Sequence, residues 1–321
     1  MNANELKTVA CYGAGTIGGG FAAYFAMKGL DVNVYVRSEA SAERAEKAIA
    51  TPLDSFVRNG VIPGGERQKI RDKIHVTTDP AAALKDVLFI QENGAENLEQ
   101  KHQIIEVIES HAPDSAIIAS SSSGMSVTKI AEKSKHPERI LVAHPWNPAH
   151  YIPLIEICLG EKTSQSAIDF TVQFYKHVDK EPIVMKKEKV GFVANRLAHA
   201  LWREQLALVE EGVCTMEEVD KAVCYGPGLR WGIMGPALAY ELGGGDEGLV
   251  GCVKKFGEMT NTVFGDISNM ERTPDDYMDM AVREMPPYIK NLPEHIGHTH
   301  AEIAAFRDRM LVNLLKLHGK L

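Results

Sequence analysis

Apolar residues fall into two regimes along the chain. In the first half they come as short unbroken runs: residues 8–12, "DVNVYV" from Asp31, Val87–Ile90, Ala116–Ala119 and Ile140–Ala143. Polar loops and charged stretches with helical spacing separate these runs. Short apolar strands alternating with helices predict an α/β domain with a parallel sheet wound on both faces. Residues 40–75 carry two charged helical segments split by "NGVIPGG". This is longer than a simple crossover and is expected to stand out from the sheet. From "VGFVANRLAHALWREQLALVEEG" onward the periodicity is helical. One helix should end at Gly212, and the capping box Thr215…Glu218 should open the next. Gly226–Gly228 should stop that one, and Thr273 with Pro274 should begin another. The final stretch, "AEIAAFRDRMLVNLLKL", reads as an amphipathic helix. The pattern therefore predicts a sheet domain over residues 1–188 and an all-α domain over 189–321, divided near "KKEKVG".

The first strand–helix junction carries the sharpest signal. Gly13, Gly15 and Gly18 form G-A-G-T-I-G between a strand and a helix that Gly29 stops. In that context the spacing marks a Rossmann-type dinucleotide site. Gly13 permits the tight turn, Gly15 lets a pyrophosphate approach the backbone, and Gly18 lets helix pack on strand. The first helical residues, Thr16 and Ile17, offer unpaired N–H groups and the positive end of the helix dipole. At the end of the second strand an NAD site usually has an acid for the ribose 2′-hydroxyl. Here Val36 is followed by Arg37 and Ser38. A cation and a hydroxyl suit a 2′-phosphate, so the cofactor is expected to be NAD(P), with NADP favoured.

Composition narrows the classes. The 321 residues carry a net charge of −8, and 45% are hydrophobic. An acidic balance argues against nucleic acid or a polybasic membrane surface as partner. The five cysteines show no CxxC or Cys/His spacing, so neither a metal site nor a disulfide framework is expected. The start of the chain has no basic and apolar leader pattern, and no run approaches membrane-spanning length. A cytoplasmic location is the expectation.

In wound sheets ligands bind beyond the carboxyl ends of the strands. Glu92, Ser120–Ser123 and His144 all follow strand ends. His144 opens "HPWNPAHYIPLIE", which closes on Glu156. A histidine with an unperturbed pKa near 6.5 suits proton removal from an alcohol as hydride leaves. A carboxylate on its other ring nitrogen would fix the tautomer.

These pieces, "GAGTIG", "ENGAEN", "SSSSGM", "HPWNP…LIE" and "GFVANR", resemble the 3-hydroxyacyl-CoA dehydrogenase family over essentially the full length. The resemblance implies that His144 is the base, Glu156 its orienting acid, Ser123 the hydroxyl on the substrate oxygen and Asn195 a substrate-holding amide. Glu92, Asn97 and Ser121 would flank the nicotinamide, and Trp146 and Asn147 would meet substrate. Trp146 stands where common members have Phe, and Val36 replaces the family's usual acid. The helical part is similar to the branch of L-carnitine dehydrogenases, L-gulonate 3-dehydrogenases and lambda-crystallin, which implies a free 3-hydroxy acid as substrate. Trp202 and Trp231 match the carnitine enzymes. An aromatic wall there would bind a quaternary ammonium, or the tryptophans are simply core or interface. Arg230 either meets a substrate carboxylate or pairs with a neighbouring acid. The family's helical domains commonly pair, which implies a homodimer. Two other readings stand beside this one. A short-chain 3-hydroxyacyl-CoA dehydrogenase would use the basic residues of 43–75 on CoA phosphates. A non-catalytic, crystallin-like protein would have no need of the four residues Ser123, His144, Glu156 and Asn195.

Overall fold

The computed structural model describes residues 3–321. Eight strands form one sheet: β1 (Thr8–Tyr12), β2 (Asp31–Tyr35), β3 (Ile74–Thr77), β4 (Phe89–Glu92), β5 (Ile117–Ser120), β6 (Ile140–Pro145), β7 (Leu154–Leu159) and β8 (Glu181–Val184). Their order is β3-β2-β1-β4-β5-β6-β7-β8. The chain runs outward from β1 through β3, then returns to its other side with β4. The crevice of a wound sheet opens at such a reversal. The strands from β1 to β6 pair in parallel, as the sequence pattern predicts. β7 departs from it by running antiparallel to β6, with β8 parallel to β7. The reason is chain length: residues 146–153 are fewer than the dozen or so that a parallel crossover needs.

Four long helices cover the sheet: α1 (Thr16–Met27), α2 (Glu39–Arg58), α3 (Leu98–His111) and α4 (Gln165–His177). α1 is buried from Gly18 to Ala26, consistent with its almost wholly apolar sequence. α2 is amphipathic and buries Ala45, Ile49, Leu53 and Phe56, so the 40–75 segment does not stand out from the sheet as its length suggested. One core, with Phe21, Phe25, Phe56, Phe89 and Phe174, lies on one face. A second, with Ile90, Ile105, Ile118, Val127 and Val142, lies on the other.

The chain divides into two compact units. The first runs through Val193 and takes back Asp308–Leu321; the second is Ala194–Arg307. The sequence pattern had set the boundary at 188/189 and left the last helix wholly in the helical domain. That helix instead sends Val312 and Leu315 into the first core. A lone amphipathic stripe does not reveal which core it covers. The second unit is all helical: α5 (Ala194–Glu210), α6 (Met216–Tyr225), α7 (Gly248–Asp266), α8 (Tyr277–Asn291) and the start of α9 (His300–Leu317). The Thr215/Glu218 capping box forms as expected. α8 begins at Tyr277 with Asp276 as cap, later than Thr273 suggested. A small core of Leu206, Val209, Met216, Val219 and Met280 holds this unit. Among the described residues no helix is long and apolar enough to cross a membrane.

Candidate active site

The glycine turn has the geometry that dinucleotide binding requires. Gly13 sits at φ +89°, and its N–H donates to Tyr35 O at 2.8 Å. A Cβ on Gly18 would lie 2.1 Å from Gly13 O, so only glycine lets α1 start this close to β1. A Cβ on Gly15 would meet nothing within 4 Å, which leaves room for a phosphate. Gly15 caps α1 without a side-chain hydrogen bond, so the first-turn amides of Thr16 and Ile17 face outward unsatisfied by any cap. A cavity of about 870 Å³ runs from this turn past Tyr35 and Val36 to Arg37, Ser41 and Arg44. These features fit a dinucleotide.

Ser38, expected beside the ribose, caps α2 by accepting from Ser41 N at 3.3 Å. Arg44 Nη2 donates to Ser41 Oγ at 2.8 Å. Ser41 escaped the sequence reading, and Arg44 entered it only among the basic residues of 43–75 weighed for CoA phosphates, because one helical turn separates them from the strand end. The spacing of three on a recognised helix was the signal available.

The ends of β4 and β5 form a dense polar cluster. Glu92 is buried and pairs with Lys101 at 2.7 Å. Its carboxylate also accepts from Ser120 Oγ at 2.6 Å and Gly94 N at 2.5 Å. Thus Glu92 shapes the loop from beneath. Asn97 caps α3 through Gln100 N at 3.1 Å. Ser121 Oγ donates to Asn93 Oδ1 at 2.7 Å and accepts from Gln91 Nε2 at 2.8 Å. Glu96, which sequence reasoning passed over, accepts from Ser122 Oγ at 2.6 Å and from Ser123 N at 2.9 Å. Ser123 is exposed. It follows β5, the parallel neighbour of β6, so it leaves the sheet at the same edge as His144.

His144 and Glu156 are direct cross-strand partners of β6 and β7. His144 Nδ1 lies 2.9 Å from Glu156 Oε2, and the two residues are 5% and 0% exposed. With a buried carboxylate at Nδ1, the neutral ring carries its proton there and leaves Nε2 as acceptor. Two further donors hold Glu156: Trp146 Nε1 at 3.4 Å from Oε2, and Val193 N at 2.8 Å from Oε1. Trp146 is half-buried, and Asn147 is exposed.

The turn beyond these residues is clamped from two sides. Buried Lys180 donates to Ala149 O at 2.6 Å and Ile152 O at 2.8 Å. Tyr151 Oη and Ser55 Oγ lie 2.9 Å apart, and Ser55 donates to Asp308 at 3.0 Å. No local pattern announces either clamp, since the partners are far apart in sequence.

The structure thus brings together His144, Glu156 and Trp146, and separately the glycine turn with Arg37. Asn195, Arg230 and Trp231 belong to the second unit. Arg230 is exposed, Trp231 is 41% exposed, and Trp202 packs against that unit's own core.

Residues 8–189 match the NAD binding domain of 3-hydroxyacyl-CoA dehydrogenase, and residues 191–273 match its C-terminal domain. The L-carnitine dehydrogenase of Streptomyces griseus subsp. griseus is 33% identical over 319 residues, 99% of this chain and 91% of that protein. The L-carnitine dehydrogenase of Pseudomonas putida is 38% identical over 253 residues, 79% of this chain and 78% of its own. Among solved structures, 5-formyl-3-hydroxy-2-methylpyridine 4-carboxylic acid 5-dehydrogenase, an NAD+-dependent dismutase, matches with a TM-score of 0.81 at 27% identity, covering 97% of this chain and 98% of its own. A glycine turn built for a dinucleotide, a buried His–Glu pair at the sheet's carboxyl edge and family matches to both parts of the chain agree: it belongs to the 3-hydroxyacyl-CoA dehydrogenase family.

Proposed function

We propose that the chain oxidises a small free L-3-hydroxy acid, carnitine-like or sugar-acid-like, to the 3-oxo acid with NAD(P). The observation that carries this is the buried His144–Glu156 pair, read beside relatives named L-carnitine dehydrogenase. A nicotinamide cofactor supplies the hydride acceptor. His144 Nε2 takes the hydroxyl proton while Glu156 stabilises the imidazolium that forms. Ser123 Oγ donates to the substrate oxygen. In the reverse direction the imidazolium returns its proton to the carbonyl oxygen.

NADP is favoured over NAD. Val36 offers no carboxylate to a 2′-hydroxyl, and Arg37, Ser41 and Arg44 line that end of the cavity. Ser41, rather than Ser38, is the hydroxyl available to a 2′-phosphate. The CoA alternative is weakened in part of the basic stretch, because Arg67, Lys69, Arg71 and Lys73 are each paired with an acid of this chain, while Arg44 lines the dinucleotide cavity. A homodimer through the second unit is supported by the apolar side chains it leaves exposed, among them Leu229, Leu242, Val250, Phe264 and Val282.

The test is a spectrophotometric assay of nicotinamide reduction. L-carnitine, L-gulonate and other L-3-hydroxy acids would be compared with L-3-hydroxybutyryl-CoA, each with NADP+ and with NAD+. Turnover of a free acid is expected; turnover of the CoA ester alone would reject the reading.

A further inference from the structure

The segment just before the second unit has an unusual backbone. Gly191 lies at φ +75° and Phe192 at φ +54°. A left-handed conformation is natural for glycine but unfavourable for a bulky aromatic residue, and it persists only when surrounding contacts enforce it. A turn alone would be served better by Gly or Asn. The contacts that hold Phe192 identify what the ring does. It is 2% exposed and belongs to the core that contains Cys158 and Met185. Its centroid is 5.3 Å from that of the His144 imidazole, inclined at 52°. The next residue sends its N–H to Glu156 Oε1 at 2.8 Å. Two consecutive left-handed residues therefore put a ring against the base and a backbone donor on the acid that orients it.

We infer that Phe192 is a positioning residue for the His144–Glu156 pair. Its ring walls the imidazole, and its left-handed backbone delivers Val193 N–H to the carboxylate. Glu156 Oε2 is then left for His144, because Oε1 is already engaged. This rests on the reading of His144 as the base. The motif "GFVANR" is marked by the sequence, but the resemblance assigns no role to Phe192 within it.

Phe192→Gly separates the two contributions. Glycine accepts the left-handed conformation and preserves the Val193 donor, while the ring is lost. The expected result is a kcat lower by about 10- to 100-fold, with KM and cofactor affinity near the parent values, because a base displaced by a fraction of an ångström acts only in the chemical step. Phe192→Leu, which keeps apolar bulk, should recover part of the loss and replaces the glycine variant if that one does not fold. The second readout is the Nδ1–H proton resonance of His144 in 15N-histidine-labelled protein, assigned by its absence in His144→Ala. It should broaden or exchange faster in Phe192→Gly. Parent kcat with an unchanged resonance, or a loss confined to KM, would overturn the inference. An active His144→Ala variant would instead overturn the reading of His144 as base, so the two failures are distinguishable.

Discussion

Replacing Lys180 with Met tests whether a buried amine holds the turn that follows His144. Lys180 is 2% exposed, and its Nζ lies 3.9 Å from the Tyr24 ring centroid, besides donating to the two carbonyls of the turn. Burial, reinforced by repulsion from Lys28, pushes its pKa from an ordinary 10.5 down to about 7. Between those values the unfolded chain binds more protons than the folded one, so the lysine's contribution to stability rises with pH across the window and is lost as pH falls through 7. The full span corresponds to about 5 kcal/mol, at about 1.4 kcal/mol per pH step. At pH 10 the neutral amine keeps both carbonyls bonded. Met fills similar space but leaves them unpaired, at about 1–3 kcal/mol each. Lys180→Met should therefore be about 2 kcal/mol or more less stable at pH 10, and the gap should close by up to about 1.4 kcal/mol per step as pH falls to 8. Denaturant unfolding of both proteins at pH 7, 8, 9 and 10 measures this. Taking the difference removes the tyrosines and cysteines that do not touch Lys180, such as Cys11 and Tyr175, whose raised pKa values act oppositely above pH 9 in both proteins. A gap that stays constant with pH would refute the reasoning, because it would mean that the carbonyls and the Tyr24 ring keep the ammonium charged throughout.

The remaining expectations concern the site. His144→Ala should lose about 100- to 10,000-fold in kcat and keep its cofactor affinity, read by titration calorimetry. Glu156→Gln should preserve the fold and lower kcat by a comparable factor, since the amide no longer fixes the tautomer; equal rates in variant and parent would remove the acid from the mechanism. Gly18→Ala should weaken cofactor binding at least about tenfold, because the added Cβ would lie 2.1 Å from Gly13 O. Arg44→Ala together with Arg37→Ala should raise the KM for NADP+ much more than that for NAD+; equal effects would argue against a 2′-phosphate subsite. Size-exclusion with light scattering should give twice the mass of a 35.3 kDa chain, and a monomer would reject the dimer.

What the sequence made legible was set locally or by simple periodicity. The strands from β1 to β6 were readable as apolar runs, and the glycine turn was readable because its context is a strand and a helix. His144 and Glu156 were paired on chemical grounds, but the antiparallel ladder that makes them neighbours was not read from the parallel pattern. What escaped was long-range or depended on which face of a helix turned inward. Glu92 gave no sign that Lys101, nine positions on, would bury itself against it. The charges of 40–75 concealed that one stripe of α2 lies in the core. Asp308, Ser55 and Tyr151 meet from three distant segments, and no pattern confined to one of them points to the others.

The cross-strand register of His144 and Glu156 has a consequence for engineering. The ladder, not the intervening chain, fixes their separation. Adding or deleting one residue inside either strand would turn the acid to the opposite face of the sheet and disconnect it from the imidazole. Residues 146–153 lie outside that register, so the stretch could be exchanged for the corresponding stretch of a relative with the His144–Glu156 pair left in place, provided Trp146, Tyr151 and the carbonyl anchors Ala149 and Ile152 are kept.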